Sequence, residues 1–151
     1  MVFGAILKLV AKSRGKGLVM AATADAVLHD GSVIRVTVHG TGPALLLPVR
    51  LEPYPPEQAE TMRKWGGDPD LGPALVAGLS GSNRLIVADY EGHRMAHPAA
   101  ETLTPENLAT DLLAIADAGG ADDFGYYGSA CGRSPWVAFR RGTGPTGACW
   151  R

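Results

Sequence analysis

Three short apolar runs separated by helix-length segments constrain this chain more than any other feature. Residues 44–47 (ALLL), 84–89 (RLIVAD) and 124–127 (FGYY) are almost unbroken apolar stretches. A run of that kind between turn residues suits a strand buried on both faces, because a half-exposed strand would alternate. Two helical segments separate the first run from the second. Residues 57–65 predict a short helix ended by Gly66-Gly67, and Leu71, Leu75, Val76 and Leu79 recur at helical spacing after Asp68-Pro69. Between the second run and the third, Thr104-Pro105-Glu106 opens a longer helix. It offers a capping hydroxyl, a proline where an N–H is dispensable, and an acid in the first turn. Leu108, Leu112, Leu113 and Ile115 are its expected inner face, and Gly119-Gly120 its stop. Upstream, Ala26-Val27-Leu28 and residues 32–38 flank Asp30-Gly31, which predicts a hairpin with a two-residue turn.

The order hairpin, strand, helix, strand, helix, strand implies an α/β architecture: an N-terminal hairpin plus a mostly parallel sheet with flanking helices. Ligands of such sheets collect beyond the carboxyl ends of the strands. Those ends are residues 48–52, 89–94 and 128–132, so three loops compete for the role of site. A length of 151 residues allows one domain with a substantial core. The net charge of -1 supplies no field to recruit nucleic acid or an anionic membrane. Residues 1–19 are different, with Lys8, Lys12, Arg14 and Lys16 and no acid. Their apolar part is broken by Lys8 and far short of the ~20 residues of a membrane span. They read as a basic N-terminal extension before a domain of residues 20–128, and Met20 could itself be the start.

The third apolar run continues into G-S-A-C-G, residues 128–132. A nucleophile elbow reads G-x-S-x-G, a strained strand-to-helix turn that lifts a serine above a sheet. Here the middle position is Ala130, whose methyl has neither a lone pair nor a transferable proton, and Ser129 stands one place early. Ser129 could attack only if the turn shifted by one residue. Cys131 is the other candidate, since a thiolate is a good nucleophile beside a base. Both also fit as ordinary small turn residues. Cys131 and Cys149 are the chain's two cysteines, too few for a disulfide framework and read as free cytoplasmic thiols.

Residues 24–128 resemble the α/β-hydrolases. V-H-G-T-G-P-A-L-L-L-P, residues 38–48, looks like the second turn and third strand of that family. L-I-V-A-D-Y-E-G-H, residues 85–93, looks like its fourth strand and the aspartate–aromatic–x–glycine–histidine loop. Residues 104–118 look like the helix before the nucleophile strand, and F-G-Y-Y-G like that strand. The resemblance implies a partial α/β-hydrolase fold and ester or amide hydrolysis of a small molecule by a nucleophile, an acid and a histidine. It implies no cofactor and no metal. Carried over position by position, Ser129 or Cys131 is the displaced nucleophile, and Arg50, Ala130 and Cys131 supply oxyanion N–H groups. Asp89, Gly92 and His93 form a structural loop, with His93 bracing the turn.

The departures are equally specific. Leu47 is followed by Pro48-Val49 where the family has histidine–glycine, and the chain holds no Asp, Glu or His after Gly128. His39 reads as a strand-end residue, and His29 and His97 as surface residues. The expectation is a hydrolase-family chain that is inactive alone. Its alternatives are a non-enzymatic binding or structural domain, or a thiol hydrolase using Cys131 with His93 or His97 as base. Residues 129–151 form an atypical tail with both cysteines, two tryptophans and four arginines but no acid. Its glycines and proline oppose the helix an elbow needs, which suggests a truncated or frame-shifted C-terminus. A sheet cut there would leave an open edge, favouring self-association.

Overall fold

The computed structural model of the chain describes residues 8–9, 22–127, 136–140 and 144–146, with side chains for 22–127. The elements run β1 (Lys8–Leu9), β2 (Ala22–Val27), β3 (Val33–His39), β4 (Ala44–Leu47), α1 (Pro56–Lys64) and α2 (Leu71–Leu79). They continue with β5 (Arg84–Val87), α3 (Tyr90–Ala96), α4 (Pro105–Ala118), β6 (Asp123–Tyr127), β7 (Trp136–Arg140) and β8 (Gly144–Thr146). All strands join one sheet in the order β1-β2-β3-β5-β4-β6-β7-β8. Helices alternate with strands through its centre, so the layered α/β class is observed.

The three apolar runs form the parallel heart of the sheet. β4 pairs with β5 through Leu46↔Ile86 and with β6 through Leu46↔Tyr126, both in parallel. The crossover from β4 to β5 carries α1 and α2, and the one from β5 to β6 carries α3 and α4. Because β5 and β6 lie on opposite sides of β4, β4 is the centre of the sheet. β3 joins β5 antiparallel and brings β2 with it as a hairpin.

Strand geometry sends successive side chains to opposite faces, and both faces here are covered. Leu46 and Ile86 point to the α4 side, where Val36, Leu112, Ile115 and Ala116 complete the larger core. Leu45, Leu47, Leu85 and Val87 point the other way, against Leu75, Val76 and Leu79 of α2. Burial on both faces is why these runs do not alternate.

Several local expectations are met and others corrected. Thr104 caps α4, its hydroxyl accepting from Asn107 N at 3.2 Å. Arg84 donates to the Gly119 and Gly120 carbonyls at the other end, placing a cation at the helix's negative pole. The inner face of α4 is Asp111, Leu112, Ile115 and Ala116, not one including Leu108, which is exposed. The hairpin turn has three residues, not two: Leu28 N donates to Ser32 O, and Gly31 takes the left-handed conformation at φ 80°. Gly40 is required for closer reasons. At φ 74° its Cα lies against the Ser80 and Asn83 carbonyl oxygens, where a Cβ would collide. His39 does end β3, half-buried, and burial pushes its imidazole pKa down.

The tail is not featureless. β7 pairs antiparallel along β6 from Asp123↔Arg140 to Tyr127↔Trp136, and β8 pairs with β7. The outer edge of β6 is therefore occupied. No helix among the described residues is long and apolar enough to cross a membrane.

Candidate functional site

A cleft of about 1040 Å³ opens beyond the carboxyl ends of β4, β5 and β6. Pro48, Val49 and Arg50 enter it from the end of β4, and Asp89, Glu91 and Gly92 from the end of β5. Tyr127, the last residue of β6, enters beside them, and Thr61, Met62, Leu71 and Gly72 of α1 and α2 build the opposite wall. Two of the three expected loops thus meet in one cavity, together with the strand that leads into the third. Ser129, Ala130 and Cys131 lie outside the described residues.

The Arg50 loop is held from two sides. Its Nε donates to the Glu52 carbonyl at 3.1 Å, and the guanidinium carbon lies 5.0 Å from the Tyr54 ring centroid. Gly72, in the first turn of α2, packs so closely on the Arg50 carbonyl that any Cβ would overlap it. The glycine sets how near α2 approaches the end of β4, and so the width of the cleft.

The Asp89–His93 segment is a helix start, not the loop that the resemblance implied. Asp89 is the N-cap of α3, with Oδ1 accepting from Gly92 N at 3.0 Å. A Cβ on Gly92 would overlap that carboxylate. The D-x-x-G spacing is therefore a capping device: the acid closes the first turn, and the glycine lets it approach. His93 points to the hairpin, its Nε2 2.8 Å from Ser32 Oγ, and stacks on His97 at 4.6 Å. Burial, then the nearby His97 and Arg94 charges, push the His93 pKa down. Neither His93 nor His97 lines the cleft.

Asp111, which the sequence does not single out, accepts four hydrogen bonds. Asp111 is fully buried on α4, and Tyr90 OH donates to its Oδ2 at 2.6 Å and Arg94 Nη2 at 2.9 Å. His29 joins from the hairpin turn, its backbone N donating to Oδ1 at 2.6 Å and its ring Nδ1 2.8 Å from Oδ2. Arg94 also holds Asp30 at 2.6 Å. His29 is consequently no surface residue: its side chain is 7% exposed. The cluster locks hairpin, α3 and α4 to one another.

The electrostatics follow. Burial alone would raise the Asp111 carboxyl pKa, but the hydrogen bonds from Tyr90, His29 and Arg94 outweigh it and leave it lowered. Burial, then the bond to Asp111, pushes the Tyr90 phenol up to about 12. The Arg94 guanidinium holds the Asp30 carboxyl far below the usual carboxylate range. The one available signal was an acid within an apolar helical stripe, since a buried carboxylate demands donors.

Chemically, the cleft offers a half-open volume and carboxylates at Glu57, Asp68, Asp89 and Glu91, of which Asp89 is committed to its cap. Among the described residues no histidine lines it, and no three His, Cys, Asp or Glu side chains converge as metal ligands. Comparisons with family models, curated proteins and solved structures return no match for the chain.

Proposed function

We propose that this chain is an α/β-hydrolase-type domain that binds a small ester or amide in the cleft, without turnover through residues 128–132. The parallel pairing of β4 with β6 carries this reading. Leu46↔Tyr126 registers the two strands side by side, so the Arg50 loop and Tyr127 lie at the same carboxyl end of the sheet. Neighbouring strands are about 4.8 Å apart. A nucleophile turn and an oxyanion N–H from a second loop need that adjacency. The tight helix start at Asp89–Gly92 on the next strand supports the reading as well. Silence in catalysis rests on Ala130, which occupies the middle of the glycine frame.

A Cys131 thiol hydrolase is the weaker reading, because His93 is engaged with Ser32 and no described histidine lines the cleft. The same proposal takes the chain as cytoplasmic, with two free thiols. Self-association through a sheet edge would use β1 or β8, since β7 occupies the edge of β6.

The test is photo-crosslinking of the full chain with a short-chain acyl amide bearing a diazirine. Labelling is expected to saturate, to map to peptides containing Val49, Thr61 or Met95, and to be lost in Thr61→Trp, which fills the cleft. Unsaturable labelling, or labels spread evenly over the surface, would sink the proposal.

A further inference from the structure

The buried cluster contains an arrangement that its bracing role does not require. His29 Nδ1 lies 2.8 Å from Asp111 Oδ2, and the opposite ring nitrogen, Nε2, lies 2.9 Å from Thr102 Oγ1. We propose that Thr102, His29 and Asp111 form a nucleophilic site, separate from the cleft, that reacts with activated acyl and phosphonyl groups. None of the three lines the cleft.

The roles follow from the hydrogen bonds. A carboxylate facing Nδ1 keeps the proton on that nitrogen, which leaves Nε2 as an acceptor and makes the Thr102 hydroxyl its donor. Ala99 O competes for that hydroxyl, but at 3.3 Å. Asp111 holds His29 twice, through the ring at Oδ2 and the backbone N–H at Oδ1, so the ring cannot turn away. Asp111 and Asp30 carry two negative charges against the one positive charge of Arg94. The cluster therefore faces His29 with a net negative charge.

Thr102 itself is exposed, so an electrophile reaches Oγ1. Its position is nonetheless set: its N–H donates to Ala99 O at 3.0 Å, and its carbonyl accepts from Asn107 Nδ2 at 2.7 Å. The amino end of the fourteen-residue α4 begins three residues later, and its positive pole favours an oxyanion forming there.

The step balances within these groups. Oγ1 bonds to the carbonyl carbon or phosphorus as its proton passes to His29 Nε2. The leaving group departs with the bonding electron pair and takes that proton. Water then releases an acyl group from Thr102, whereas a phosphonyl group stays attached.

The experiment treats the full chain with an alkyl fluorophosphonate and locates the adduct by peptide mass spectrometry. Thr102 is expected to be labelled, with fluoride as the leaving group. Thr102→Val should abolish labelling at that peptide and Thr102→Ser should keep it; both changes are at an exposed residue. His29→Gln should slow it by about 100-fold, the loss of a general base. Absence of an adduct on Thr102, or a His29→Gln rate within about threefold of the parent, would overturn the proposal. An adduct confined to Ser129 or Cys131 also overturns it and bears instead on residues 128–132. Saturable crosslinking in the cleft without a Thr102 adduct leaves the cleft reading standing and this one refuted.

Discussion

Replacing Asp111 by Asn tests the physical account of the buried cluster directly. The substitution keeps shape and removes a charge and one acceptor. Asp111 accepts from four donors: the His29 N–H on Oδ1, and Tyr90 OH, His29 Nδ1 and Arg94 Nη2 on Oδ2. If the amide oxygen takes the Oδ2 position, its NH₂ confronts the His29 N–H, donor to donor. If the amide flips, its NH₂ confronts the Arg94 guanidinium. Either way a buried donor is left unpartnered, costing about 1–3 kcal/mol. Removing one member of a buried ion pair costs about 3–5 kcal/mol. Arg94 keeps Asp30 at 2.6 Å, so the lower end applies and the expected loss is about 3 kcal/mol.

For a chain of this length about 3 kcal/mol lowers Tm by roughly 6–12 °C. Urea unfolding followed by far-UV circular dichroism measures it, with the slope m unchanged. The pH dependence supplies a second check. The Asp111 carboxyl is held below its unfolded value of about 3.9, so its contribution is present above that pH and fades as pH falls through the lower folded value. The difference between parent and variant should narrow below about pH 4. A loss under about 1 kcal/mol at pH 7, or a gap that does not narrow in acid, would show that the charge is not what holds these elements together.

Three further outcomes are expected. Gly40→Ala must place a methyl against the Ser80 and Asn83 carbonyls at positive φ, and should cost about 2–4 kcal/mol in urea unfolding. Gly31→Ala has open space at similar φ and should cost only about 1 kcal/mol; equal costs would refute the packing argument. Thr104→Ala removes the cap of α4 and should lower stability by about 1 kcal/mol, with no change expected from Thr110→Ala on the same helix if capping is the cause. Burial holds the His93 imidazole pKa below its ordinary value, so its contribution is present above about pH 6.5 and lost as pH falls through the folded value. His93→Gln should flatten stability between pH 7.5 and 5.5, and an unchanged slope would assign that dependence elsewhere.

The parallel heart of the fold was readable because its strands are buried on both faces, and such burial writes itself as an unbroken apolar run. β4 spans the expected residues, and α2 spans its predicted 71–79. The α4 start was equally plain, since the orphan N–H groups of a helix end are satisfied by local residues such as Thr104. α3 leaves no such signal: Tyr90–Ala96 is too short for a periodic pattern, and its cap, Asp89, stands where the end of an apolar run predicts a loop.

What the residues could not reveal is which distant groups meet. The positions of 48–50 and 89–92 at the carboxyl ends of β4 and β5 follow from local sequence; their convergence with Tyr127 in one cleft depends on β5 and β6 taking opposite sides of β4. His29 has no partner near it in sequence, and Asp111 is 82 residues away. Local order here is governed by interactions a few residues apart, so the sequence alone determined the central strands, α2 and the α4 cap. The cleft, the buried carboxylate and its histidine are long-range pairings. Only the packing of α4 against the hairpin, driven by burial of Val36, Leu112 and Ile115, brought those groups within hydrogen-bond reach.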